Sequence, residues 1–477
     1  MEENHKLKSN EISAFDSVIM GIAGTAPAYT ISASTGALIA AVGIMGPGSI
    51  LYAAIVMFGI AFAFMYLNKW RSDAGASYAW VGRTIHPALG FMSGWALVVA
   101  ACLFMVAGSL PVGAATLDLL APTLANNVVA VTITGAFWFL AMNTLIMLGI
   151  QITTKFQKYM TMLEVGILLV IAIGAFVKFG LHPIKPFSLS WFSPTGFSLK
   201  TFMGGSLVAI FYYWGWDVTA NLTEETKDRN SAPGYGGVIG MIGIFVLFEL
   251  MQIIFQMGLT PKQIIAAGAN LLPVVGNRIL PQPWGDIALI AVTVSTIATL
   301  ETSLLQASRT LFAMGRDRVL SERFGHLHHR FKTPWLAGIV MGIVSLLLFV
   351  ISSFSSGVSA VMNDAITAIG LQICFYYGLT GFACAWYYRR DLLHSRKAFF
   401  MRGLWPVLSA MFLWIIAIYD IPLMGWQTDS IGLGTLALGI IPLLYYRFKL
   451  KSAFYITGRE ASTNRTMVPA ADNIIVK

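Results

Sequence analysis

Charge is scarce in this sequence. Asp, Glu, Lys and Arg together make up 11% of the 477 residues, against about a quarter in an ordinary soluble domain. Cysteine is scarcer still. Cys102, Cys374 and Cys384 all sit in apolar segments and offer neither a disulfide framework nor zinc-ligand spacing, so they read as small buried packing residues. Catalytic signatures are missing too. There is no phosphate-binding Gly-rich loop ending in Gly-Lys-Ser/Thr, which argues against ATP hydrolysis. No Ser-His-Asp or HExxH arrangement supports enzyme chemistry in the membrane, and no cofactor is called for. His326, His328 and His329 lie in a basic loop without a Cys or acidic companion, so no metal site is expected there. The start, MEENHKLKSNEISAF, is polar and lacks the apolar core of a cleavable signal peptide.

Apolar length is what the sequence has instead. Hydrophobic residues reach 57% and mean hydropathy is +0.72. Read against a span of about 20 residues, the apolar runs give an all-α integral membrane protein with about twelve transmembrane helices. They fall near 14–42, 46–68, 86–115, 128–149, 157–180, 200–225, 236–258, 284–314, 334–353, 361–388, 403–421 and 430–447. With the N-terminus cytoplasmic, roughly 26 of the 31 Lys and Arg fall on the inner side. Lys178, Lys185, Lys200, Lys262 and Arg278 are left outside. This bias accounts for the net charge of +9 through an anionic leaflet, without nucleic acid. The expected location is the cytoplasmic membrane, with both tails inside. The C-terminal tail GREASTNRTMVPAADNIIVK reads as disordered.

Two spans are interrupted at corresponding places. Helix 1 reads DSVIMGIAGTAPAYTISASTGAL and helix 6 reads SLVAIFYYWGWDVTANLTEE. Taken as two repeats of five, residues 14–180 and 198–388, the first ten helices make these two counterparts. The remainder is a 1–13 tail, two further helices over 403–447 and a 448–477 tail. Paired interruptions point to an inverted-repeat transporter with its site at the breaks. A break in hydrocarbon leaves N–H and C=O groups without partners, each costing several kcal/mol, so a substrate, an ion or neighbouring protein has to satisfy them. Packing contacts or kinks are the plainer account of a single Gly or Pro.

Four segments in order carry a family resemblance. They are Gly24-Thr25-Ala26 in helix 1, RSDAGASYAWVGRTIHPALGFMSGW (Arg71–Trp95), GWDVTANLTEETKD after the helix 6 break, and ASRTLFAMGRDRVLSERFGHLHHRFKTPW (Ala307–Trp335). The chain resembles the amino acid–polyamine–organocation (APC) superfamily over most of residues 14–390. Gly-Ile-Ala-x-x-x-Pro in helix 1 and Leu-Thr-Glu-Glu-Thr after helix 6 are similar to bacterial putrescine permeases within it. The resemblance implies a five-plus-five inverted repeat of the LeuT type and alternating access, with substrate between the two breaks. On that pattern Gly24, Thr25 and Ala26 would receive a carboxylate, and carbonyls near Phe211, Tyr212 and Tyr213 would accept from an ammonium. Gly215 would open the break, and Trp214 and Trp216 would gate it or offer cation–π surfaces. Ala26 replaces the family's third glycine, and Pro27 removes one N–H, which weakens the carboxylate inference and favours an amine. Where many members carry a helix 5 lysine, this chain has Glu164. Its carboxylate would titrate as a proton-coupling group, ligate sodium or pair with a cationic substrate.

Further carboxylates lie at membrane depth, where charge is costly and functional. Asp217 follows the break and reads as a substrate ligand or as a helix cap. Glu301, near the middle of helix 8, reads as a substrate or proton site lined also by Ser303. Glu224 and Glu225 are expected to pair with Arg309 or Arg316, and Asp364 and Asp420, near helix ends, to be solvated. These readings make the chain a secondary transporter of amino acids, proton-coupled or exchanging, with a polyamine or other cationic amine as the alternative. A channel or sensor on the same scaffold is more remote, for no filter loop is visible. The expected partners are a small solute, a coupling proton or sodium ion and the lipid bilayer, and a homo-oligomer is compatible with them.

Overall fold

A computed structural model describes residues 6–457 apart from Asn126 and 353–357. The tail Gly458–Lys477, where the sequence predicts disorder, and the first five residues lie outside the described residues. Among the described residues every regular element is helical, and one isolated parallel bridge joins Ile12 to Thr226. Nine helical stretches among the described residues are long and apolar enough to cross a membrane, the first running from Ala14 to Trp70. Two shorter apolar helices accompany them. Helices satisfy their own backbone groups, which is what hydrocarbon demands.

The chain begins with α1 (Ala14–Gly24), α2 (Pro27–Val42), α3 (Gly46–Trp70), α4 (Ser77–Thr84), α5 (Pro87–Leu120), α6 (Val128–Met147) and α7 (Ile150–Leu181). It continues through α8 (Leu199–Phe211), α9 (Val218–Asn221), α10 (Ala232–Gly258), α11 (Pro261–Ala267), α12 (Leu271–Ile279) and α13 (Ile287–Arg316). Beyond these come α14 (Trp335–Ser352), α15 (Val358–Tyr388), the single turn α16 (Arg396–Ala398), α17 (Trp405–Asp420) and α18 (Trp426–Leu438). Helix α13 is the centre of the bundle. Its side chains are buried almost from end to end, and it packs along α5, α7, α6, α2, α14 and α1.

Helix starts and stops follow their local sequence. Ser13 caps α1 with a reciprocal box: its hydroxyl accepts from the Asp16 N–H, and Asp16 accepts from the Ser13 N–H, both at 3.1 Å. Gly24 ends α1, and Pro27 opens α2 at a position where its missing N–H costs nothing. Between them Ala26 takes a left-handed conformation, φ +47°. The expected helix over 200–225 is in two pieces, with residues 212–217 irregular and Gly215 at φ +102°. Helix α7 starts earlier than hydropathy indicates, because QITTKFQK is polar yet helical, with Thr153, Thr154 and Gln157 buried. Hydropathy also misses α11 and α12, which fold over α2. There Ser32 donates to the Ala269 carbonyl at 2.6 Å and accepts from the Leu272 N–H at 3.2 Å.

Two expectations about solvation need correction. Asp420 is buried rather than solvated. Asp364 is half-buried and accepts from the Thr428 hydroxyl at 2.8 Å. Both lie near helix ends, but α18 folds back along α15 and covers that region. The three cysteines are buried and unpaired with one another.

Candidate functional site

The two interruptions touch. A Cβ on Gly24 would collide with the Gly215 carbonyl, and one on Gly215 with the Gly24 carbonyl. Only glycine permits so close a backbone approach, and at Gly215 only glycine suits the positive φ. The α1–α2 break and the α8–α9 break therefore meet inside the bundle, against α13. Thr299 donates to the Ala23 carbonyl at 2.8 Å, and Ser295 accepts from the Tyr29 N–H at 3.2 Å.

The residues named from sequence separate into three groups. In the first, Gly24, Thr25 and Ala26 stand at the break, but their donors are engaged. The Thr25 and Ala26 N–H groups turn back to the Ile22 and Ala23 carbonyls, both at 3.1 Å, and the Thr25 hydroxyl donates to Ile22 at 2.7 Å. Glu164 arrives from α7 and accepts from the Ala28 N–H at 2.8 Å through Oε1. Its other oxygen, Oε2, is buried and has no hydrogen-bond partner. Trp214 joins this group through its ring. It lies 5.5 Å from Phe104 and 6.2 Å from Phe211, while Phe104 lies 5.9 Å from Tyr29.

The second group is committed to holding the break together. The Phe211 carbonyl accepts from the Trp214 N–H at 3.1 Å. Tyr212 shares a 2.7 Å hydroxyl bond with Thr35, and Tyr213 donates to the Ile50 carbonyl at 3.1 Å. Asp217 starts α9 without a side-chain cap. It accepts instead from Gln306 at 2.6 Å, Tyr377 at 2.8 Å and Tyr376 at 3.1 Å, and Tyr376 in turn accepts from Trp214 Nε1 at 2.9 Å. Its carboxylate is a clamp between α9, α13 and α15. Trp216 points the other way, into the core, 5.1 Å from Phe64 and 5.9 Å from Tyr377, and Phe64 in turn lies 5.4 Å from Trp80.

Glu301 forms the third group. Ser295, Thr299, Gln306 and Thr310 form the seam of α13 that bonds Tyr29, Ala23, Asp217 and Asn221. Glu301 is two residues past Thr299, about 200° further round the helix, so the structure does not bring it to the break. Ser303, one turn past Thr299, shares the seam and is buried. Both Glu301 oxygens are buried without a hydrogen-bond partner.

Next to the tail, charges are matched. Arg309 grips Glu225 through two 3.0 Å bonds, with both side chains almost wholly buried. Arg316 holds Glu224 at 2.8 Å and Asp73 at 3.3 Å, and Arg83 holds Asp317 at 2.8 Å. Burial alone would raise the Asp73 carboxyl, but Arg83, Arg316 and Arg71 outweigh it and hold it below the usual carboxylate range. The tail straps across this cluster. The Glu11 and Ile12 N–H groups donate to the Glu225 carbonyl at 2.8 and 3.1 Å, and Leu7 is buried against Ala74, Phe312 and Leu327.

Sequence reasoning missed Glu249 in α10, whose two oxygens are also buried without a hydrogen-bond partner. A lone carboxylate inside an apolar run was the readable signal. It missed the Tyr376–Tyr377 pair and Gln306, for which nothing local gives a signal. Among the described residues no cluster of His, Cys, Asp and Glu has metal-binding geometry.

Comparison with known proteins supplies the family. The family model described as amino acid permease matches residues 12–435. The chain is 25% identical over 363 residues to a methylthioribose transporter of Bacillus subtilis, covering 71% of this chain and 75% of that protein. It is 25% identical over 364 residues to a branched-chain amino acid permease of the same organism, covering 72% and 75%. It is 23% identical over 341 residues to a low-affinity putrescine importer of Escherichia coli, covering 69% and 71%. These relatives are transporters rather than enzymes. The chain belongs to the amino acid permease family of the APC superfamily.

Proposed function

We propose that this protein is a secondary active transporter that moves small nitrogenous solutes across the cytoplasmic membrane by alternating access, with Glu164 as its coupling group. One observation carries the reading. Two helix interruptions meet backbone to backbone at Gly24 and Gly215, and a buried carboxylate from a third helix sits on the head of α2 with one oxygen uncommitted. In hydrocarbon such an oxygen calls for a proton, a metal cation or an ammonium.

Twelve spans, arranged as two five-helix repeats with two further helices, fit this reading. Dividing the Ala14–Trp70 stretch at Gly43 and adding Leu199–Phe211 and Trp335–Ile351 brings the nine long candidates to that number. The paired tail-side cluster then acts as an inner gate on the cytoplasmic face. The relatives' substrates include amino acids, an amine and a thio-sugar, so family membership alone leaves the solute open. A polar file supports proton rather than sodium coupling. Gln157, Thr161 and Glu164 follow one another on the buried face of α7, and both polar atoms of Gln157, Thr161 Oγ1 and Glu164 Oε2 have no hydrogen-bond partner. Buried polar groups of this kind are usually bridged by water, which would join Glu164 to the tail-bearing end of α7.

The test is Glu164→Gln in proteoliposomes. Uptake should lose its response to a pH gradient, so that whatever flux remains follows the solute gradient alone. Driven uptake at the wild-type rate would remove Glu164 from the coupling role.

A further inference from the structure

The head of α2 is where a ligand carboxylate would be received, because its first N–H groups and its dipole face the break. In this chain no donor is left there. Thr25 and Ala26 donate to Ile22 and Ala23, and Pro27 has no N–H. Ala28 donates to Glu164 and Tyr29 to Ser295, while Thr30 donates to Ala26 within the helix. The Thr25 hydroxyl is spent on Ile22. A second carboxylate entering here would have to displace Glu164 and then lie beside it, like charge against like.

What the site offers is the opposite chemistry. Glu164 Oε2 is a buried acceptor with no partner, attached to the same carboxylate that caps α2. Tyr29 follows directly in the chain, and Phe104 and Trp214 continue from it as a buried run of rings. A buried carboxylate oxygen without a partner suits a cation that donates hydrogen bonds.

We infer that the solute is an ammonium-bearing molecule without a free carboxylate, and that Glu164 is a built-in replacement for the carboxylate an amino acid would supply. The inference rests on the transport reading above and narrows its substrate class. It also gives Pro27 and Ala26 a reason: a nest that binds no ligand carboxylate has no need of a glycine or an N–H at those positions.

The experiment is counterflow in proteoliposomes holding the full-length chain, with probes paired by decarboxylation: L-ornithine against putrescine, and L-leucine against 3-methylbutylamine. Saturable exchange of at least one amine, with its amino acid at least tenfold weaker, is the expected result. Exchange confined to the amino acids would overturn the inference and leave the transport reading standing. Flux that rises linearly for every probe would overturn both. The Glu164→Ala variant carries the assignment to the residue. It frees the Ala28 N–H and removes the counter-charge, so amine exchange should fall at least tenfold and amino acid exchange should rise. An unchanged preference in folded Glu164→Ala protein would sink the replacement role. Should that variant fail to fold, the wild-type pairs still decide the substrate class.

Discussion

The tail-side cluster and the helix breaks solve the problem of buried charge in opposite ways. At the cluster, Glu225, Glu224, Asp73 and Asp317 each face a guanidinium. At membrane depth, Glu164 keeps one oxygen without a partner, and Glu249 and Glu301 keep two. Paired charges fix a conformation, whereas unpaired ones are costly and persist where something transient completes them. Asp217 shows that depth is not what divides the two classes. It lies at the break, yet three donors satisfy it, so it belongs with the clamps.

The sharpest way to break this comparison is to unpair a clamp. Glu225→Gln leaves the Arg309 guanidinium buried without its counter-charge, and removing one member of a buried pair costs about 3–5 kcal/mol. Thermal unfolding in detergent should show a loss of that size, together with loss of transport. Glu164→Gln should behave differently, because the amide oxygen still accepts from Ala28. Its unfolding temperature should stay near wild type while driven uptake is lost. Equal destabilisation by the two would erase the distinction between clamp and binding carboxylate.

The two tryptophans of the break separate along the same line. Trp216 is buried against Phe64 and Tyr377, so Trp216→Ala should cost about 3–5 kcal/mol of stability, as large-to-small core changes do. Trp214 faces Phe104 and Phe211. Trp214→Phe keeps a ring there but drops the bond to Tyr376 and weakens the cation–π face. Amine affinity should fall roughly tenfold, about 1.4 kcal/mol, within the range for a desolvated cation–π contact. Binding titrations and unfolding scans on both variants distinguish the two roles.

Much of the frame is legible in the sequence because membrane spans are written in composition. The apolar runs mark the long helices, and the Gly24–Pro27 and Trp214–Trp216 interruptions mark the breaks at positions the structure brings together. Side-chain direction is less legible. Asp217 and Glu301 read alike as buried carboxylates, yet one is gripped by three donors and the other lies about 200° round α13 from the contact seam. Sequence gives depth, but the angle depends on how α13 is rotated against its neighbours, a property of the packed bundle. Gln306 and Tyr376 are hidden for the same reason, being ordinary residues until Asp217 arrives between them. The α2 head is a third case. Pro27 and Ala26 announce a weakened nest, but the occupation of the Ala28 N–H by Glu164 joins residues 136 positions apart.

Ala26→Gly gives the smallest effect and the finest distinction. Ala26 sits at φ +47°, ψ 61°, where a residue with a Cβ pays about 1–2 kcal/mol. Glycine removes that strain but adds about 0.5–1 kcal/mol of unfolded-chain entropy. A net gain of roughly 0.5 kcal/mol follows from these two figures, visible as a slight rise in unfolding temperature. Solute preference should not move, because Glu164 and Ser295 still occupy the Ala28 and Tyr29 N–H groups. If Ala26→Gly alone let the protein exchange an amino acid, the alanine at this turn would be what excludes a carboxylate, and Glu164 would cap α2 without choosing the solute. If preference holds while stability rises, the strain at Ala26 is separate from recognition, and the occupied donors of α2 set what binds.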